Sequence, residues 1–136
     1  MAAYTAIDDP EAYFQVKTYT GDGTTSHAIT LDGDTNMQPN VVWIKSRSAV
    51  ENHVLSDSVR GDSGAASGFY TFHTNNTDAE YGAGGNEYIG ALDSDGFTVG
   101  SNDVVNTNTE TYVAWCWKES ADAGFDILTS VSYTHL

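Results

Sequence analysis

The side chains in this chain best suited to chemistry are its acids, and many of them fall in short glycine-rich turns: Asp93-Ser94-Asp95, Asp32-Gly33-Asp34, and Asp22 between Gly21 and Gly23. Calcium takes several hard oxygens, and loops rich in Asp and Gly supply them with little strain. Asp32, Asp34, Asp93 and Asp95 are therefore the candidate calcium ligands. None of these clusters continues into the further acidic positions and closing Glu that a complete EF-hand loop needs. Plain turn residues are the better reading, so no cofactor and no metal are expected, with calcium the one open possibility.

Hydrolysis of a glycosidic bond would need two carboxylates about 5 to 10 Å apart across one groove. Glu51, Glu80, Glu87, Glu110 and Glu119 stand near turns or strand ends, none beside a second acid at strand spacing. His27, His53 and His73 lie in separate segments, without a nucleophile elbow or an HExxH spacing. Cys116 is the sole cysteine and sits in an apolar run, the setting of a small buried hydrophobe rather than a nucleophile. No catalytic residue is expected, and the chain reads as not an enzyme.

Binding has more to work with. Phe69, Tyr70, Phe72, Tyr81 and Tyr88 lie in or beside a long Gly, Ala, Ser and Asn-rich stretch, interspersed with Asn75, Asn76 and Asn86. Aromatic rings that stack on sugar faces, with amides for the hydroxyls, are what a carbohydrate site requires. The same rings would also serve to pin a long loop to the body of the domain. Arg60, at the end of a strand, is expected to hold Asp57 or nearby turn carbonyls.

These residues must be placed by β-structure. The run from Leu92 to Lys118 parses into strands separated by turns, one at Asp95-Gly96 and one at Asn106 to Thr109. Within it Tyr112-Val113-Ala114-Trp115-Cys116-Trp117 is apolar at every position, which predicts an inner strand covered on both sides. Further strands are expected from Tyr13, around His27 to Leu31, at Val41 to Lys45 and at His53 to Val59, with a loop from Asp62 to Gly85. No window carries helical apolar spacing for more than a turn or two. The expected fold is all-β, about eight antiparallel strands in a two-sheet sandwich, with Trp43, Phe97, Val113 and Trp115 in its core. Residues 1–11 read as a lead-in tail, 12–120 as the sandwich, and 121–136 as a last strand or the start of a second unit. The second unit is suggested by an echo of Ala12 to Thr18 in Ala123 to Thr129.

The chain has 136 residues and a formal charge of −14, yet 40% of it is hydrophobic, so the acids belong on a folded surface. Five Lys and Arg residues form no basic stripe, which speaks against nucleic acid and anionic membranes as partners. Nothing at the start resembles a signal peptide, and no stretch approaches membrane-spanning length.

Five segments carry a family pattern: Tyr19-Thr20-Gly21-Asp22-Gly23, Pro39 to Arg47, Asp57-Ser58-Val59-Arg60-Gly61, Asp93 to Gly100, and Tyr112 to Lys118. Together they resemble an uncharacterised domain family of marine bacteriophage structural and tail-associated proteins. The resemblance implies a concanavalin A-like (laminin G-like) jelly roll located in the virion. It implies other virion proteins or host-surface glycan as partners, with homo-oligomers possible, and brings no catalytic residues. The expected function is a non-catalytic tail-fibre or appendage module; the alternative is a polysaccharide-degrading enzyme or its carbohydrate-binding accessory domain. Val131 to Leu136 resembles translated sequencing-adapter DNA, the other reading being a genuine terminal strand.

Overall fold

The computed structural model describes residues 7–61, 68–81 and 88–130. Among the described residues eight strands form two antiparallel sheets. They are β1 (Phe14–Thr20), β2 (His27–Thr30), β3 (Val41–Ser46), β4 (Val54–Asp57), β5 (Thr71–His73), β6 (Ile89–Asp93), β7 (Gly96–Val99) and β8 (Thr111–Trp117). One sheet has the order β1-β8-β3-β4-β5 and the other β2-β7-β6. Helix among the described residues is confined to a 3-10 turn at Pro10–Ala12 and to α1 (Asp103–Asn106), one turn capped by the Asn102 side chain.

The core lies between the sheets. Strands of period two present alternate residues to it: Val42 and Ile44 from β3, Tyr112, Ala114 and Cys116 from β8, Val54 from β4, facing Ile29, Ile89, Phe97 and Val99 of the smaller sheet. Tyr112 stacks on Tyr19 with ring centroids 5.2 Å apart. Its hydroxyl donates to the carbonyl of Asp103 at 2.7 Å, so a large polar-tipped ring is buried without an orphaned group.

Three expectations need correction. The β6–β7 turn is made by Ser94-Asp95, with Asp93 opposite Gly96, so Gly96 opens β7 instead of sitting in the turn. A side chain there is excluded, because φ is 132° and a Cβ would lie 2.0 Å from the Ile29 carbonyl oxygen of the neighbouring strand. The long loop is interrupted by β5, whose Thr71 also pairs with Tyr81. Most consequentially, β8 has one core face. Of the four expected core residues Phe97 is fully buried, but Trp43, Val113 and Trp115 are only half-buried and point to the outside of the five-stranded sheet.

Candidate functional site

The loop aromatics separate into different roles. Phe69 and Tyr88 pack against the core, which is the pinning role. Phe72 faces outward from β5 with the Arg60 guanidinium 4.3 Å from its ring centroid. Tyr70 ties its amide to the Gly61 carbonyl. Asn75 is structural: its Oδ1 accepts from the His53 amide and its Nδ2 donates to Asn52 Oδ1. Asn76, Tyr81 and Tyr88 do come together, around His73. The His73 and Tyr81 rings are 5.1 Å apart, and Asn76 Nδ2 bridges His73 Nδ1 and Asp78 Oδ2 at 3.2 and 2.8 Å. His73 Nε2 is buried and has no hydrogen-bond partner among the described residues. Asn86 and Glu87 lie outside the described residues, as do residues 131–136.

The acidic turns are occupied by the protein itself. Asp32 pairs with Lys17 at 3.1 Å, and the Asp34 amide is bound by Glu11 Oε2. Asp93 Oδ2 accepts from the Thr98 hydroxyl at 2.8 Å, and Asp95 Oδ1 from the Met37 amide. Asp22 accepts from the Thr24 amide and hydroxyl and from Asn106 Nδ2. Those bonds favour its charged form and hold its pKa below the usual aspartate value, the Thr24 amide contributing most. Among the described residues no three His, Cys, Asp or Glu side chains gather as ligands.

Asn106 organises this corner. Fully buried, it receives the Asp22 amide on Oδ1, lies 3.0 Å from His27 Nδ1, and donates to the Thr24 carbonyl. Gly21 lies so close that a Cβ there would be 2.2 Å from the Thr107 carbonyl oxygen. Asn40 does the same at the opposite end: its Oδ1 accepts from the Glu119 amide and its Nδ2 donates to Ser58 Oγ. Asp57, buried at the end of β4, takes the amides of Val59 and Arg60 on Oδ1 and the Arg60 guanidinium on Oδ2. The partner expected for Arg60 is thus confirmed. The Gly21-Asp22-Gly23, Pro39-Asn40 and Asp57 to Gly61 segments are therefore framework.

The surface left over is the outer face of the five-stranded sheet, and it carries all three tryptophans. Register sets its side chains in rows across the strands. One row is Val16, Trp115, Trp43, Leu55 and Phe72; a second is Phe14, Trp117, Val41 and Asp57; a third is Thr18, Val113 and Lys45. Trp43 and Trp115 are 5.2 Å apart with rings inclined by 42°, and Trp43 Nε1 donates to Thr74 Oγ1. Phe14 and Val16 remain 39% and 45% exposed, unusual for an apolar pair side by side on one strand. Of 19 acids in the chain, Asp57 is the one carboxylate in these rows, and Arg60 neutralises it.

After β8 the chain folds back through a Ser120–Phe125 bridge and runs over the second row. Phe125 stacks on Trp117 at 6.4 Å, and a cleft of about 380 Å³ opens between Val41, Leu55, Asp57, Arg60, Trp117 and the segment from Phe125 to Leu128. In the same turn Glu119 and Asp126 line one pocket: interaction with the Asp126 carboxyl, with a smaller contribution from burial, raises the Glu119 pKa. The two acids are seven positions apart across a turn, outside the strand spacing at which paired carboxylates were sought. Cys116, buried on the opposite face of β8, has its pKa pushed up to about 12 by desolvation and is held as an inert thiol.

Sequence reasoning missed this face because it placed the tryptophans inside. The available signal was parity: Lys45 shares a face with Trp43, and Thr111 shares one with Trp115, so those faces had to meet water.

Fold and surface together define an all-β domain of two antiparallel sheets with an aromatic outer face. Residues 9–134 match the family model described as Domain of unknown function (DUF7483), and the chain belongs to that family. No curated protein and no solved structure matches it. No helix among the described residues is long and apolar enough to cross a membrane.

Proposed function

We propose that this chain is a non-catalytic interaction module of a bacteriophage virion, a concanavalin A-like jelly roll on a tail fibre or similar appendage that binds host-surface glycan. One observation carries the binding reading: a chain of charge −14 places one carboxylate, Asp57, paired with Arg60, among the strand rows of one sheet face and sets its three tryptophans there. Apolar surface of this kind in a soluble domain marks an interaction site, and aromatic rings are the groups sugars stack on. The virion location rests on the family resemblance of the five sequence segments.

The runner-up, a polysaccharide-degrading enzyme or its accessory domain, is favoured by the Glu119–Asp126 pair beside Trp117. Those carboxyls line a single pocket and the interaction with Asp126 raises the Glu119 pKa, the direction a general acid needs; hydrolysis would also need a sugar or water between carboxyls about 5 to 10 Å apart. Affinity electrophoresis through gels containing neutral or anionic polysaccharides, with release of reducing ends assayed in parallel, tests both readings. Retarded migration without sugar release is expected. Sugar release would make the chain an enzyme; unchanged migration in every gel would remove glycan and leave other virion proteins as partners.

A further inference from the structure

The binding reading above leaves open what kind of glycan fits. We propose that the row Val16, Trp115, Trp43 and Leu55 is the floor of a groove for a single neutral, linear oligosaccharide running across the strands, about four pyranose units long. This inference rests on the proposed glycan binding and specifies its ligand.

Three features shape the groove. The first is its direction and length. The floor crosses from β1 to β4, three strand spacings of about 4.8 Å or roughly 14 Å from centre to centre, about the distance between the first and last rings of four linked pyranoses. Phe72 closes the far end, because the Arg60 guanidinium covers its ring. The second is its walls. The segment from Phe125 to Leu128 roofs the neighbouring row on one side, and Thr18 and Lys45 border the other with polar groups. An apolar floor with a polar margin is the general form of a small-ligand site. The third is charge. Asp57 is paired with Arg60, which leaves Lys45, its Nζ donating to the neutral Ser46 carbonyl, as the one cation in these rows without an acid partner among the described residues; a single such charge is too little to offset the repulsion of an anionic polymer by a domain of charge −14.

Ring geometry narrows the ligand further. The 42° inclination between Trp43 and Trp115 suits successive sugars turned relative to one another, as in a dissolved chain, rather than the coplanar sugars of a crystalline surface. Area argues against a second copy as the occupant. Four strand spacings by three two-residue repeats give at most roughly 400 Å² in plan. Part of that is already covered by the chain's own residues 125–128, whereas a stable dimer buries about 800 Å² on each partner.

All three tryptophans lie on this face, so intrinsic fluorescence reports on it directly. The test titrates β-1,4-linked glucose and mannose oligomers of two to about six units, by fluorescence and calorimetry, into the full chain and into Trp43→Ala and Val16→Glu. Val16 is exposed and remote from the core, so its variant remains folded whatever becomes of Trp43→Ala. Affinity should rise with each unit to about four and then level off, and each variant should lower it about tenfold, as loss of a central contact does. Polygalacturonate should not compete. A plateau at one or two units, or unchanged affinity in both variants, would overturn the groove while leaving polysaccharide binding in place. Loss of all oligosaccharide and polysaccharide binding would overturn both readings. Self-association abolished by Val16→Glu would give the face to a second copy and overturn the groove.

Discussion

Tyr112 and Trp115 lie three residues apart on β8 and face opposite ways, so truncating each to alanine tests the assignment of the two faces. Tyr112 is fully buried, stacks on Tyr19, and its hydroxyl both donates to the Asp103 carbonyl and accepts from the Thr107 amide at 2.9 Å. Losing a large core ring costs about 3 to 5 kcal/mol, and the orphaned partners add about 1 kcal/mol more. Trp115 loses its cross-strand contact with Trp43 and a half-buried ring, about 1 to 2 kcal/mol. Urea denaturation followed by circular dichroism, which does not depend on the tryptophan removed, separates the two. With a slope of about 2 kcal/mol per molar, the midpoint should fall by about 2 to 3 M for Tyr112→Ala and by about 0.5 to 1 M for Trp115→Ala. A Trp115→Ala loss equal to or larger than that of Tyr112→Ala would refute the face assignment and with it the binding surface.

Four further outcomes follow from the same structure. Gly21→Ala should destabilise by about 2 kcal/mol or more, because its Cβ would meet the backbone oxygen of Thr107; a urea midpoint within error of the parent would show that this corner relaxes. Cys116 should resist aromatic disulfide reagents in native protein at neutral pH and react on unfolding, since burial holds it as the thiol; fast native labelling would contradict its placement. Millimolar calcium should raise the melting temperature no more than sodium chloride of equal ionic strength, because specific binding adds RT ln(1 + [L]/Kd) while sodium only screens repulsion. A calcium-specific gain lost in Asp95→Asn would reinstate the acidic turns as a metal site. Finally, the folded pKa of Glu119 is raised, so what its bond to Asp126 contributes is complete below the ordinary glutamate range and is lost as pH rises through the raised value. The Phe125–Trp117 stack, read by tryptophan fluorescence, should therefore tighten in acid and lose that dependence in Glu119→Gln; loosening in acid would refute the clasp.

Local pattern was enough to determine the strands. β-branched runs such as Val41-Val42-Trp43-Ile44, and turn residues such as Gly21-Asp22-Gly23, act within a few residues of themselves, so seven of the eight strands are legible in the chain. β5 was not, because three residues in a glycine-rich stretch carry too little periodicity and owe their pairing to Ser56 and Leu55 on β4. Which face of a strand is buried is a different matter when both faces are apolar. Alternation in β8 says that Trp115 and Trp117 share a side, but only the smaller sheet, laid against Tyr112, Ala114 and Cys116, decides that the tryptophans face outward. The candidate surface is likewise a product of register: Trp43 and Trp115 are far apart in the chain and become neighbours because β3 and β8 pair antiparallel with these two residues opposite each other. Glu119 and Asp126 meet for a related reason, since the turn closed by Ser120 and Phe125 folds one carboxylate back onto the other. Local propensity acts over a few residues along the chain, whereas faces, rows and pairs are made by contacts between segments distant in sequence, and those exist only once the sheets have formed.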